Sequence, residues 1–325
     1  MLGTNAISVL RGICIALGMA AAAPAAADFP GNREIRLVVP YPAGGPTDAI
    51  ARAFAHEFSR EIGAAVVVEN KPGADTMIGT RQVLAAPADG HTLLMGTTAV
   101  GTTEIKHLNT GFTLSDFKVI APFGFQGFIL STNANEAFST LPELVAAAKA
   151  REGGLNNASL AEGSPVYFMA ERLKHATGIP MTHVRFAGST PAMNAVAGGH
   201  VQIIFNGPLT TMPMVSAGKL KAIAVTTEER LPMLPDVPTF KELGYADVTG
   251  AAWSAVMASA KTPAPILEKL IRAGLRASQS EGVRRTLANI AISPWEGTIE
   301  SFDEVIRADR ELWLRDAQRL GIQPQ

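Results

Sequence analysis

Short runs of consecutive apolar residues alternate along this chain with longer stretches whose apolar positions recur every three or four residues. Residues 35–39 (IRLVV) form such a run, and residues 46–62 carry Ile50, Phe54, Phe58 and Ile62 at i+4 spacing. The first pattern predicts a buried strand and the second an amphipathic helix. The alternation continues through strand 65–69 (AVVVE), the loop NKPGADTMIG, a helix to about Ala86, a turn at Asp89-Gly90 and strand 91–95 (HTLLM). Strands 118–122 and 127–132 then bring the chain to a domain crossing. A helix over about 141–151, ended by Gly153-Gly154, opens a second unit. Strand 156–160 and a helix starting at Gly163-Ser164-Pro165 follow, then strand 182–186, a short helix closed by Gly198-Gly199, and strands 201–205 and 220–226. Residues 248–259 are extended and return the chain, and helices near 264–278, 281–290 and 299–320 finish it. Strands alternating with helices predict an α/β fold with largely parallel sheets.

The N-terminus says where the chain works. Arg11 precedes an apolar run from Gly12 to Ala23, and Ala25-Ala26-Ala27 leads into Asp28. A charged segment, a short apolar core and small residues before a cleavage point predict a signal peptide over residues 1–27 and a periplasmic mature protein. The run falls short of the roughly 20 apolar residues of a spanning helix. Cys14, the only cysteine, lies inside it, so the exported chain carries no disulfide and no thiolate chemistry. No later stretch is long and apolar enough to span a membrane. What remains of the 325 residues suffices for two domains of ordinary size. A net charge of −1 argues against nucleic acid or a polybasic membrane contact. Hydrophobic residues at 47% with aromatics at only 6% suit a well-filled α/β core.

Three segments share one chemistry. In the first, RLVVPYPAGGPTD (36–48), a strand runs through Gly44-Gly45 into a helix with Pro46 at its first position and Asp48 placed to cap the Gly45 N–H. The second, residues 159–173, has Ser164 as N-cap and Pro165 following. The third, residues 184–196, has Ser189 or Thr190 as N-cap and Pro191 at or near the first position. Each helix start offers N–H donors and the positive end of a dipole, worth about 0.3–1 kcal/mol to a nearby anion. A small side chain there also admits a ligand to the backbone. At Gly45, a side chain would fill that space and would strain the turn if φ is positive. Taken singly, each Ser or Thr equally well caps its own helix. Phe123, Phe125 and Phe128, near the crossing, offer either an apolar wall for a ligand or hinge-side core.

These segments carry a resemblance. YPAGGPTD (41–48), VVVENKPGAD (66–75), ADGHTLLMG (88–96), EGSPVYFMAE (162–171), FAGSTPAMNAVAGGHVQIIF (186–205), LPDVPTFKELGY (234–245) and GTIESFDEVIRADRELW (297–313) resemble, in order and spacing, the Bug-type extracytoplasmic solute-binding receptors of tripartite tricarboxylate transporters. The resemblance implies a two-domain, type II periplasmic-binding-protein fold that closes on a small carboxylate, with no cofactor and no metal. Domain one would hold 28–130 plus 253–325 and domain two 131–252. It places the first carboxylate loop on Tyr41, Ala43, Gly44, Gly45, Thr47 and Asp48, and the second on Gly163, Ser164 and Pro165. Thr97-Thr98 and the loop holding Ala187, Ser189 and Thr190 would complete the cleft. Tyr167 stands where relatives commonly carry His, Phe186-Ala187 where they often show Tyr and a basic residue, and Asn206 where the residue is frequently acidic. The ligand of a relative therefore cannot be copied over.

Enzyme signatures are mostly missing: there is no G-x-S-x-G, no Gly-rich loop with GK[ST], no G-x-G-x-x-G and no H-E-x-x-H. The six histidines show no ligand spacing, and Trp253, Trp295 and Trp313 read as packing residues. The expected function is a monomeric, non-enzymatic receptor that delivers a small organic carboxylate to membrane transporter subunits. The alternative is a periplasmic sensor that presents its closed form to a signalling receptor, and behind it stands an unrecognised enzyme, which turnover of a bound carboxylate would reveal.

Overall fold

The computed structural model describes residues 29–160, 164–186 and 188–322, so the expected signal peptide lies outside it. The chain begins with β1 (Ile35–Val39), α1 (Pro46–Ile62), β2 (Val66–Asn70), α2 (Met77–Ala85), β3 (Thr92–Thr97) and α3 (Thr98–Lys106). The long β4 (Phe117–Gly127) carries it into a second lobe. That lobe holds β5 (Ile129–Asn133), α4 (Leu141–Ala150), β6 (Leu155–Ser159), α5 (Pro165–Thr177), β7 (Met181–Arg185), α6 (Ser189–Ala197), β8 (Ile203–Asn206), α7 (Pro208–Ser216) and β9 (Leu220–Val225). The return runs through β10 (Ala251–Ser259) to α8 (Ala264–Ser278), α9 (Glu281–Asn289), β11 (Ser293–Pro294) and α10 (Ile299–Arg319).

Each lobe is built on one sheet, in the orders β11-β4-β10-β3-β1-β2 and β7-β6-β8-β5-β9. Both sheets are mixed, where the alternation of elements alone predicts largely parallel ones. β1 runs parallel to β2 and β3, and β6 runs parallel to β7 and β8. β10 is antiparallel to β3 and β4, and β5 to β8 and β9. The crossing is the reason. β4 takes the chain out of the first lobe and β10 brings it back, so the two lie side by side in opposite directions, from Ala251↔Gly127 to Ser259↔Phe117.

Helices cover both faces of each sheet. On one face of the first, Ile35, Leu37 and Val39 pack with Phe54 and Phe58 of α1 and with Leu270 of α8. Val38, Leu94, Phe117 and Trp253 form the other face with Phe302 and Ile306 of α10. The i+4 stripe read in residues 46–62 is thus the buried stripe of α1, with Phe54 and Phe58 stacked at 4.9 Å. Each such side chain contributes about 1.5–3 kcal/mol by leaving water. In the second lobe Leu144, Phe168, Leu173 and Phe205 fill one side and Met193, Val196 and Ile204 the other. Two helices have no counterpart in the apolar pattern. α3 (TAVGTTEIK) is too rich in Thr and small residues to show a stripe, and α7 (PLTTMPMVS) holds Pro213 in its interior.

Only Phe128 separates β4 from β5. Its N–H donates to Thr226 Oγ1 at 2.9 Å, and its carbonyl accepts from the Thr226 N–H at 2.9 Å. The Thr226 hydroxyl in turn donates to the Gly250 carbonyl at 2.6 Å, so one threonine ties both crossing strands. Gly127 allows that approach, because a Cβ there would lie 2.2 Å from Thr227 Cγ2. Phe123 and Phe128 are buried in the cores, and Phe125 packs against Trp295 and Phe302 at 5.7 and 5.4 Å. Phe123 and Phe128 are therefore core beside the crossing, whereas Phe125 is half-buried, with one side packed on Trp295 and Phe302. α10 bridges the lobes: Phe302 and Ile306 belong to the first core, Trp313 and Ala317 to the second. Arg172 of α5 fastens its end, donating from Nε to Asp316 Oδ2 at 2.6 Å and from Nη1 to the Thr249 carbonyl at 2.7 Å. Among the described residues no helix is long and apolar enough to cross a membrane.

Candidate functional site

Sheet topology gathers the expected ligand residues into two groups, one per lobe. β1 and β3 are parallel neighbours, so Tyr41–Asp48 after β1 and Thr97-Thr98 after β3 share one edge. In the second lobe β6 lies between β7 and β8, parallel to both. Ser164, Pro165 and Tyr167 after β6, Ser189 and Thr190 after β7, and Asn206 at the end of β8 therefore also share one edge. In open α/β sheets the carboxyl edge is where ligands bind, because helix N-termini collect there. Gly163 and Ala187 lie outside the described residues.

The first loop is held from within. The Tyr41 hydroxyl bonds Thr97 Oγ1 at 2.8 Å, and burial pushes its phenol above the usual range against the pull of that bond. Asp48 accepts the Gly44 N–H at 2.9 Å rather than that of Gly45, as the capping pattern suggests. The difference follows from the turn: Gly44 is left-handed at φ +83°, whereas Gly45 is extended at φ −83° and its carbonyl accepts the Ala49 N–H at 3.0 Å. Gly45 therefore carries no positive-φ strain. Asp48 also accepts from Arg52 Nε at 2.9 Å and from Asn70 Nδ2 at 2.9 Å, and Asn70 Nδ2 reaches the Tyr41 carbonyl at 3.1 Å. Arg52, helped by Gly44 and Asn70, outweighs burial and lowers the Asp48 carboxyl to about 2. The carboxylate is thus ionised across the working pH range, and its charge is engaged by the loop it shapes.

Neither Arg52 nor Asn70 is evident as a site residue from sequence patterns. The i,i+4 spacing of Asp48 and Arg52 is a readable signal, but the partnership with Asn70 needs β1 and β2 side by side. Thr98 is buried and accepts the Trp253 N–H at 2.8 Å, so its hydroxyl oxygen is occupied by the return strand.

In the second lobe Ser164 is the N-cap of α5, accepting the Tyr167 N–H at 3.4 Å, with Pro165 next as expected. α6 departs from expectation. Ser189 is its first helical residue, and the N-cap is Gly188, which makes no side-chain capping bond. Pro191 therefore sits two residues deeper than a first-position proline. The Ser189 hydroxyl is turned to Asn206 Oδ1 at 3.4 Å, and Asn206 Nδ2 donates to Thr210 Oγ1 at 2.9 Å. Open space surrounds this start: a Cβ on Gly188 would meet nothing within 4 Å. The same holds at Gly44, and at Gly45 only the Pro42 carbonyl lies near, at 3.8 Å. Tyr167 stacks on His183 with ring centroids 4.5 Å apart, and His183 Nε2 bonds Glu171 Oε1 at 2.6 Å. That bond, with Lys174, holds the Glu171 carboxyl below its usual range.

The first-loop residues 41–48 and the starts of α5 and α6 at 164–165 and 188–190 present glycine, proline, hydroxyls and backbone N–H groups, and none of these positions is basic. Such an arrangement can receive an anion through oriented donors.

Residues 50–321 match the family model described as the tripartite tricarboxylate transporter family receptor. The chain is 31% identical to a UPF0065 protein of Bordetella pertussis over 321 residues, covering 98% of this chain and 99% of that one. It is similar in structure to Rhodopseudomonas palustris Rpa4515 with adipate, at 28% identity and a TM-score of 0.79, over 92% of this chain and 100% of the other. It is also similar to MatC (Rpa3494) of the same organism with bound malate, at 27% identity and a TM-score of 0.74, over 89% and 100%. These likenesses run through both lobes, and the architecture is the two-domain fold of solute-binding proteins. By the family model and the near full-length relative together, the chain belongs to the tripartite tricarboxylate transporter receptor family.

Proposed function

We propose that this protein works outside the cytoplasm as a receptor that captures a small carboxylate between its lobes and delivers it to the membrane subunits of a tripartite transporter. The observation that carries the reading is the matched pair of helix starts. α1 at Gly45 and α6 at Gly188, on opposite lobes, both begin at a glycine with no side-chain cap, at the carboxyl edge of a sheet. Residues 28–130 with 253–325 and residues 131–252 act as the two closing bodies. They are joined by the crossings near 130 and 252 and by the end of α10. Tyr41, Ala43, Gly44, Gly45, Thr47, Asp48, Thr97 and Thr98 come from the first body. Gly163, Ser164, Pro165, Tyr167, Ala187, Ser189, Thr190 and Asn206 come from the second.

The reading is supported by the family, and by relatives solved with malate and with adipate. Charge is met by N–H groups and hydroxyls rather than by an Arg or Lys clamp, because Arg52, the only arginine among the described residues bonded into the first loop, is held by Asp48. The chemistry is capture and release without turnover. A thermal-shift and calorimetric screen of the protein against malate, adipate, benzoate and acetate tests this. At 100 times its dissociation constant a true ligand adds about 2.7 kcal/mol of stability, and it is recovered unchanged after incubation. A protein that binds no carboxylate, or converts one, would refute the reading.

A further inference from the structure

A cavity of about 490 Å³ lies where α10 meets the two crossings. It shares no residue with the candidate carboxylate site, and the strand between them separates the two. Phe125 of β4 lines the cavity, while Gln126, the next residue, faces Gly207 beside Asn206. Adjacent strand residues point to opposite faces. The volume falls in the 300–1,000 Å³ range of small-molecule sites and far exceeds the roughly 30 Å³ share of one water.

The lining has a definite chemistry. Phe125, Leu231, Pro232 and Val305 supply apolar wall. Two polar atoms on this lining, Thr249 Oγ1 and Asp309 Oδ2, are buried without a hydrogen-bond partner among the described residues. Burial pushes the Asp309 carboxyl up to about 6, against the opposing pull of the Trp313 indole and the Arg172 guanidinium. Above that pH an ionised carboxylate with one buried, unpartnered oxygen sits in the cavity wall, and such a charge is costly until a cation meets it. Of the other charged lining residues, Glu228 is paired with Lys241 and Arg230 with Glu242, which leaves Glu229 without an ion pair among the described residues.

We infer that this cavity is a second binding site, for a small organic cation whose ammonium group meets Asp309 and Thr249 and whose apolar body lies among Phe125, Leu231, Pro232 and Val305. The site stands independently of the carboxylate reading, and it is tested with no carboxylate present.

Calorimetry of the protein at pH 8 in an amine-free buffer, with benzylamine as probe, decides it. Benzylamine should bind saturably at one site, and benzyl alcohol, alike in shape but uncharged, about tenfold or more weakly. Asp309→Asn should weaken benzylamine by about tenfold or more. Val305→Trp, which fills the cavity from its apolar side and keeps the carboxylate, should do the same. If Asp309→Asn fails to fold, the alcohol comparison and Val305→Trp still decide. Benzylamine with a dissociation constant above about 10 mM, equal binding of amine and alcohol, or wild-type affinity in both variants would each overturn the assignment.

Discussion

At the scale of single residues, the two adjacent glycines of the first loop do different work. Gly44 provides the left-handed turn that aims its N–H at Asp48, and Gly45 is an extended N-cap beside open space. Gly44→Ala should therefore cost about 1–2 kcal/mol of stability, since an L side chain is strained in that conformation. Gly45→Val should cost no more than about 1 kcal/mol yet abolish carboxylate binding, because its methyl groups occupy the ligand's approach to the backbone. Urea unfolding and calorimetry on the two variants separate these roles. Unchanged affinity in Gly45→Val would remove the first loop from the anion site. The asymmetry was only half legible in sequence. A Gly-Gly pair before Pro46 marks a strand-to-helix turn, but which glycine takes positive φ depends on how Asp48, Arg52 and Asn70 meet around it.

Among the elements, α10 has the widest reach. Its first turns complete the core of one lobe, and Trp313, fully buried, completes the other against Phe168 at 5.2 Å. Trp313→Ala should lower stability by about 3–5 kcal/mol, the usual cost of removing a large buried aromatic. It should also leave the Arg172 guanidinium, 4.6 Å from the indole, without its aromatic face. Denaturant unfolding measures this, and a loss below about 1 kcal/mol would mean the end of α10 is not integral to the second core. The helix itself is plain in the sequence, where Phe302, Ile306 and Trp313 recur on one face. Its double allegiance is not, because an apolar stripe says that a face is buried without saying against what.

For the whole molecule, the proposed closure would turn on the two crossings joined through Thr226, where a few φ/ψ changes can move one lobe against the other. A ligand touching both lobes must favour the closed arrangement, and closure sheds water and strengthens each hydrogen bond in the cleft. The apo protein should therefore be more extended than the protein saturated with its carboxylate. A micromolar affinity, about 8.2 kcal/mol, has to cover the cost of closing as well. Small-angle scattering with and without saturating ligand reads the change in radius of gyration. Identical curves alongside confirmed binding would mean a preformed cleft and no pincer.

By itself the sequence determined the local terms. The apolar periods located α1, α8 and α10 and most strands, because burial of one face imposes its period wherever an element packs on a single neighbour. Capping chemistry located the start of α5, since a serine cap acts within three residues. The ordered motifs located the family. Tertiary structure alone decided what depends on neighbours distant in the chain. It set the antiparallel pairing of β4 with β10, which follows from the path of the chain and not from any strand's composition. It held α3 and α7 as helices although their residues carry no stripe, because contacts with the sheets replace the missing propensity. It also brought the Asp309 carboxyl and the Thr249 side chain, 60 residues apart in sequence, to the wall of one cavity beside the crossings.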